Sequence, residues 1–118
     1  MNELSFLVLT VLAEAPQHGY GLLQGVTDLT DGSVRPQVAT LYRTVDRLES
    51  DGLVVEHSTD VVDGRFRRTY QLTDAGRTQL ATEAALRAST ARIAEKRLAS
   101  PSPNPGSTPT IGLAGGVA

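Results

Sequence analysis

Two groups of arginines carry the chemistry legible in this sequence. The first lies in the stretch Pro36 to Gly52, PQVATLYRTVDRLESDG, where Arg43 and Arg47 fall one helical turn apart beside Gln37, Thr40 and Thr44. The second is Arg65, Arg67 and Arg68, which follow an Asp63-Gly64 pair. Arginine offers a planar fork of donors that fits a phosphate or a guanine edge through paired hydrogen bonds, and short polar side chains can reach neighbouring base edges. The chain lacks the groupings that catalysis asks for. It shows no paired nucleophile and base, no glycine-rich phosphate loop between a strand and a helix, and only two histidines, His18 and His57, set far apart. The expectation is a binding protein with no cofactor and no metal, not an enzyme.

The elements that must position these groups can be read around them. Val38, Leu41, Val45 and Leu48 recur at steps of three and four, which predicts a helix buried on that stripe, with Pro36 in its first turn and Gly52 as its C-terminal cap. Glu49 and Asp51 place negative charge in the last turn, so the first two-thirds of the helix can approach phosphate and its end must lean away. An ordinary amphipathic helix with a solvated face has the same pattern, so the neighbouring segments decide between the two.

Upstream, Leu4 to Leu12 is apolar nearly all round and continues through Ala13 to Ala15, which predicts a buried helix ended by Pro16. It is too apolar for a small three-helix domain, so one face, Phe6 included, is expected to meet a partner subunit. A turn at Pro16 to Gly21 leads into Leu22, Leu23, Val26 and Leu29 at helical spacing. Gly21 and Gly25 lie on one face of that helix. They point either to a close backbone crossing or to a weak helix with incidental glycines. Tyr20, at its start, suits a phosphate contact or a packing role.

Downstream, Leu53 to His57 and Phe66 to Leu72 read as strands joined by a hairpin over Asp60 to Gly64. This makes a two-stranded ribbon. Its arginines either meet a phosphate backbone or a minor groove, or simply offset Asp60 and Asp63. Thr73 or Asp74 then caps a last helix over roughly residues 75 to 98, with Leu80, Ala84, Ala91 and Leu98 along one side and Leu86 and Ile93 along another. Such a helix has little core of its own to lean on. Pairing with a second copy is its natural use, and a solvated extension is the alternative.

Composition sets the outer bounds. The chain has 118 residues, of which 40% are hydrophobic and 20% charged, a globular balance for one modest core. Its net charge of −2 argues against a sequence-independent nucleic-acid coat, which needs a large basic excess. Zero cysteines exclude disulfides and thiolate metal sites. Neither a secretory signal nor a membrane-length apolar run is evident, so a soluble cytoplasmic protein is expected. Residues 99 to 118 carry no charge and repeat Pro, Gly, Ser and Thr, the composition of a disordered tail.

The order helix, helix, helix, basic hairpin, long helix is that of a winged helix-turn-helix. The expected fold is mainly α with a small β-hairpin: residues 1–73 form the DNA-binding domain and 74–98 the C-terminal dimerisation helix. The residues also carry a likeness. AEAPQHGYGL, RPQVATLYRTVDRLESDGLV and GRFRRTYQLTDAGR, in this order, resemble the PadR family of bacterial transcriptional regulators, with His18-Gly19-Tyr20, Thr40-Leu41-Tyr42 and Tyr70-x-Leu72-Thr73-x-x-Gly76 as the most specific pieces.

The resemblance implies a homodimer joined through the first and last helices, each subunit placing its third helix in the major groove of a pseudo-palindromic operator. It further implies a repressor released by a small, often aromatic, effector. By motif position Tyr20, Thr40, Tyr42, Arg43 and the wing arginines would face DNA. Thr69 departs from the family's frequent aromatic beside the tyrosine, and the absence of tryptophan means that no effector slot can be built between indole rings. The rival reading is a winged-helix module that binds another protein. It draws support from the six basic and six acidic residues between Arg35 and Arg68.

Overall fold

The computed structural model describes residues 1–100; within that span the side chains of Ser58, Thr59, Asp60, Val62, Arg65 and Phe66 lie outside the described set. The tail expected from composition therefore falls, beyond Ser100, outside the described residues. The chain divides into two compact units, Met1–Ala85 and Leu86–Ala118.

In the first unit, α1 (Glu3–Glu14) begins at Asn2, whose side chain accepts the Ser5 amide at 2.9 Å. Leu7, Val8, Leu9 and Leu12 are buried along it, and the chain leaves in extended backbone at Ala15 ahead of Pro16. Two residues then pair with the later hairpin as β1 (Gln17–His18), and α2 (Gly19–Leu29) follows at once. Leu22 and Val26 enter the core. Leu29, the next residue in the expected stripe, is 51% exposed instead, because α2 ends there and turns away through Asp31 and Gly32.

The helix α3 (Val38–Ser50) is shorter at its start than the sequence suggests. Gln37 is its N-cap, so Pro36 stands outside the first turn and Val38, expected in the buried stripe, is the exposed first residue. Leu41, Val45 and Leu48 are buried as expected, each contributing about 1.5–3 kcal/mol of transfer free energy. Gly52 closes the helix in left-handed backbone (φ 77°): its amide donates to the Glu49 carbonyl at 3.0 Å and the Leu53 amide to the Leu48 carbonyl at 2.9 Å. That pair of bonds satisfies carbonyls that would otherwise be orphaned at the helix end.

The hairpin consists of β2 (Val54–Val62) and β3 (Arg65–Leu72), longer strands than the sequence suggested, with a loop reduced to Asp63 and Gly64. Both loop residues have positive φ, 52° and 77°, as a tight two-residue hairpin requires. With β1 the sheet is three-stranded and antiparallel, ordered β1-β3-β2, so the expected two-stranded ribbon gains a third strand. The register is interrupted by a bulge between Glu56 and Ser58. Val54, Tyr70 and Leu72 at the base of the sheet are buried with the helices in one core.

The last helix, α4, runs Asp74–Ala99. Thr73 is its cap: the hydroxyl accepts the Gly76 amide at 2.9 Å and donates to the Gly52 carbonyl at 2.7 Å, while the Thr73 amide donates to the Leu53 carbonyl at 3.1 Å. One residue thus fastens the start of α4 to the corner between α3 and β2. In the second unit the described residues are helical through Ala99, and Leu86, Ile93 and Leu98 are exposed. Among the described residues no helix is long and apolar enough to cross a membrane.

Candidate nucleic-acid interface

With Leu41, Val45 and Leu48 turned inward, α3 presents Gln37, Tyr42, Arg43 and Arg47 as exposed side chains, and Thr40 and Thr44 half-buried between them. The threonines are partly committed to the helix itself: the Thr44 hydroxyl donates to the Thr40 carbonyl at 3.0 Å, and the Arg43 guanidinium lies 3.5 Å from the Thr40 hydroxyl. Arg47 stands one turn later, and the N-terminal amides of α3 carry no side-chain cap. The face is polar, with Arg43 and Arg47 in its middle, the exposed Asp46 between them in sequence, and further acidic residues, Glu49 and Asp51, near its end.

Tyr42 differs from its neighbours. Its ring lies so close to Gly19, at the start of α2, that a β-carbon on residue 19 would collide with the Tyr42 hydroxyl. The close approach expected at Gly21 and Gly25 thus belongs chiefly to Gly19. At Gly21 and Gly25 the near neighbours are the side chains of Gln17 and Val11, not a crossing backbone.

Next to Gly19, His18 caps α2, its Nδ1 accepting the Gly21 amide at 3.0 Å. The Tyr20 ring stacks beside the imidazole with centroids 6.4 Å apart, and Tyr20 is itself 69% exposed. Desolvation first, and then the charge of Arg67, hold the His18 imidazole below its ordinary pKa. This agrees with the geometry, since only the unprotonated Nδ1 can accept the amide. His18 was missed as a cap because histidine is not among the usual capping residues. A partial signal existed in the helical run that starts immediately after it.

The wing arginines separate. Arg67 and Thr69 alternate onto the face of β3 that meets His18, whose Cα partner across the ladder is Thr69. Arg68 and Tyr70 occupy the other face. Arg68 Nε lies 3.7 Å from Glu56 Oε1, and its guanidinium hydrogen-bonds the Tyr70 hydroxyl. That bond, followed by the field of Glu56, pushes the Arg68 pKa up. Burial raises the Tyr70 phenol, with the Arg68 interactions opposing it. The side chain of Arg65 lies outside the described residues.

The structure therefore brings Tyr20, His18, Tyr42 and Arg67 around the start of α2, with the exposed arc of α3 beyond Tyr42. Of the residues expected at a subunit interface, Phe6 is half-buried on α1 and Leu80 packs against the edge of its own core. Ala84, Ala91 and Leu98 are exposed. A groove lies between α1 and α2, lined in part by Val11, Glu14, Gln24, Asp28 and Leu29. Among the described residues no group of three or more His, Cys, Asp or Glu is placed to hold a metal ion.

Comparison with known proteins agrees with this architecture. The chain is 44% identical over 73 residues to transcriptional regulator Rv3488 of Mycobacterium tuberculosis, a match that spans 62% of this chain and 64% of that protein. It is similar in fold to a PadR family transcription regulator from Clostridium difficile, with a TM-score of 0.68 at 20% identity over 82% of this chain and 99% of that one. It is also similar in fold to Bacillus subtilis PadR in complex with operator DNA, with a TM-score of 0.59 at 17% identity over 90% of this chain and 53% of that one. The model of the PadR-like family of transcriptional regulators matches residues 8–82, and the chain belongs to that family.

Proposed function

We propose that this chain is an operator-specific DNA-binding regulator that works as a homodimer and represses transcription until a small effector releases it. The observation that carries the DNA-binding reading is the face of α3. Leu41, Val45 and Leu48 of its apolar stripe are spent on the core, which leaves Gln37, Thr40, Arg43, Thr44 and Arg47 as a polar arc with two arginines. That is the chemistry needed to read base edges in a major groove while neutralising phosphates. Tyr20 and Arg67 would meet the flanking backbone, and Tyr42 would border the arc. The fold shared with a regulator described in complex with operator DNA supports the same use.

The dimeric reading is supported by α4, which exposes Leu86, Ile93 and Leu98 along a helix that a second copy could cover, with Ala84 and Ala91 allowing close approach. Phe6 and Leu80, in the first unit, are further candidates for a subunit contact. Repression and an aromatic effector are carried over from the family resemblance.

The test is fluorescence anisotropy with a labelled duplex taken from immediately upstream of the chain's own gene, against a scrambled duplex, across a salt series. Arg43→Gln or Arg47→Gln should cost about 1–3 kcal/mol at the upstream duplex if the arginine reads a base, or weaken both duplexes alike if it meets only phosphate. Equal affinity of the unmodified protein for the two duplexes refutes operator recognition and favours the rival use of the same face, binding another protein.

A further inference from the structure

We propose that Arg68 is a positioning residue of the wing: held between Tyr70 and Glu56, it ties β3 to β2 at the hairpin base, over the buried Tyr70 ring, and leaves Arg67 to meet nucleic acid. The proposal rests on the DNA-binding reading for its consequence, but the tie itself is a property of the chain alone.

The two arginines are adjacent in sequence and opposite in placement. Alternation along β3 puts Arg68 on the same face as Tyr70, and Tyr70 is 2% exposed, sunk in the core with Leu72 and Val54. Across the ladder the Cα partner of Tyr70 is Glu56, so the carboxylate that lies 3.7 Å from Arg68 Nε comes from the neighbouring strand. Arg68 is thus joined at once to its own strand and to β2. Glu49, in the last turn of α3, contributes to the field at both Arg68 and Tyr70, and Tyr42 of α3 contributes at Tyr70. The Arg68 head group therefore bridges β3 and β2 where the hairpin joins the core.

Two physical points follow. A guanidinium already hydrogen-bonded to a phenol and paired with a carboxylate must give up both partners to reach a phosphate, whereas Arg67 lies on the face shared with His18 and is exposed. A two-stranded ribbon is also marginal without further support, and from Arg68 to the tip only β2 and β3 pair. A fastening at the ribbon's base then sets the direction in which the whole tip is carried. A surface ion pair alone contributes little; the anchoring strength here comes from the buried tyrosine ring to which the arginine is bonded.

The experiment has one arm without DNA and one with it. The chain has no cysteine, so Asp46→Cys on α3 and Val61→Cys on β2 accept a spin-label pair whose dipolar distance distribution reports the wing relative to the helix. Tyr70→Phe, Arg68→Lys and Arg68→Gln should each widen that distribution, and Arg67→Gln should leave it unchanged. In the DNA arm, with the upstream and scrambled duplexes over a salt series, Tyr70→Phe and Arg68→Lys keep every charge. They should weaken binding to the upstream duplex about threefold to tenfold, the effect of one hydrogen bond, without altering the salt slope. Arg67→Gln should reduce that slope by about 0.9, the loss of one phosphate contact.

A Tyr70→Phe distance distribution identical to that of the unmodified chain overturns the proposal. So does an Arg68→Gln variant that lowers the salt slope by about 0.9 while its distribution stays unchanged. If the unmodified protein prefers neither duplex, the regulator reading fails while the distance arm still decides the role of Arg68.

Discussion

Replacing Gly76 by alanine puts two opposed effects in direct competition. Gly76 lies in the first turn of α4, where alanine is intrinsically favoured over glycine by about 0.8–1.0 kcal/mol. From propensity alone the variant should be more stable. The structure argues otherwise, because a β-carbon at residue 76 would run into the Leu53 carbonyl oxygen, come 2.7 Å from Leu72 Cδ1 and lie 3.1 Å from the Leu53 carbonyl carbon. The main obstacle is backbone, so no rotamer change relieves it. That carbonyl is held in place because it accepts the Thr73 amide, and Thr73 is bonded to Gly52.

Forcing extra volume into such a site costs about 1–3 kcal/mol, and more when backbone must move. With backbone as the obstacle the cost lies in the upper part of that range, about 2–3 kcal/mol, and setting the helix gain against it leaves a net loss of about 1–2 kcal/mol. For a folded region of this size that corresponds to a fall in Tm of about 4–15 °C. The assay is thermal unfolding followed by circular dichroism, with both proteins at one concentration because association also raises Tm. A Gly76→Ala protein that melts at or above the unmodified chain refutes the close packing of α4 on the corner between α3 and β2.

Two further outcomes are expected. His18 is held below its ordinary pKa of about 6.5, so an unfolded chain takes up a proton where the folded one resists it. The contribution of the cap should therefore be complete above about pH 6.5 and decline as the pH falls through the lower folded value. Thermal melts between pH 7.5 and 5.5 should show this decline, and His18→Asn, which keeps an accepting cap, should flatten it; equal slopes in the two proteins would exclude His18 as its source. Gly19→Ala should cost less than about 1 kcal/mol, since the half-exposed Tyr42 ring can swing clear, but should shift the Tyr42 ring resonances in an NMR spectrum. Unchanged ring shifts would mean that Tyr42 does not rest on Gly19.

The sequence was most informative where one residue type answers one local need. Gly52, Asp63-Gly64 and Thr73 each announce a cap or turn, and each is found there because positive φ or a hydroxyl cap leaves few alternatives. The stripe Leu41, Val45, Leu48 was equally plain, since its burial follows from helical period alone. The start of α3 was misjudged because proline at residue 36 suits a first helical turn, whereas here Gln37 takes the cap and Val38 opens the helix in solvent. The strand at Gln17–His18 had no local signal: two residues show no alternation, and its pairing partners lie some fifty residues away. The division of labour between Arg67 and Arg68 was invisible for a related reason. It depends on which face of β3 turns toward the buried core and which turns away from it, and the composition of the wing cannot supply that.

The bulge at His57 gives the wing unequal arms, nine residues in β2 against eight in β3 over the same ladder. Like a strip bonded from two lengths of metal, such a ribbon cannot lie straight, and a bulge both bends its strand and tightens the twist. The curve is written into a count of residues. Surface substitutions along the wing can recolour its charge without straightening it, whereas losing a single residue from β2 would re-aim the tip.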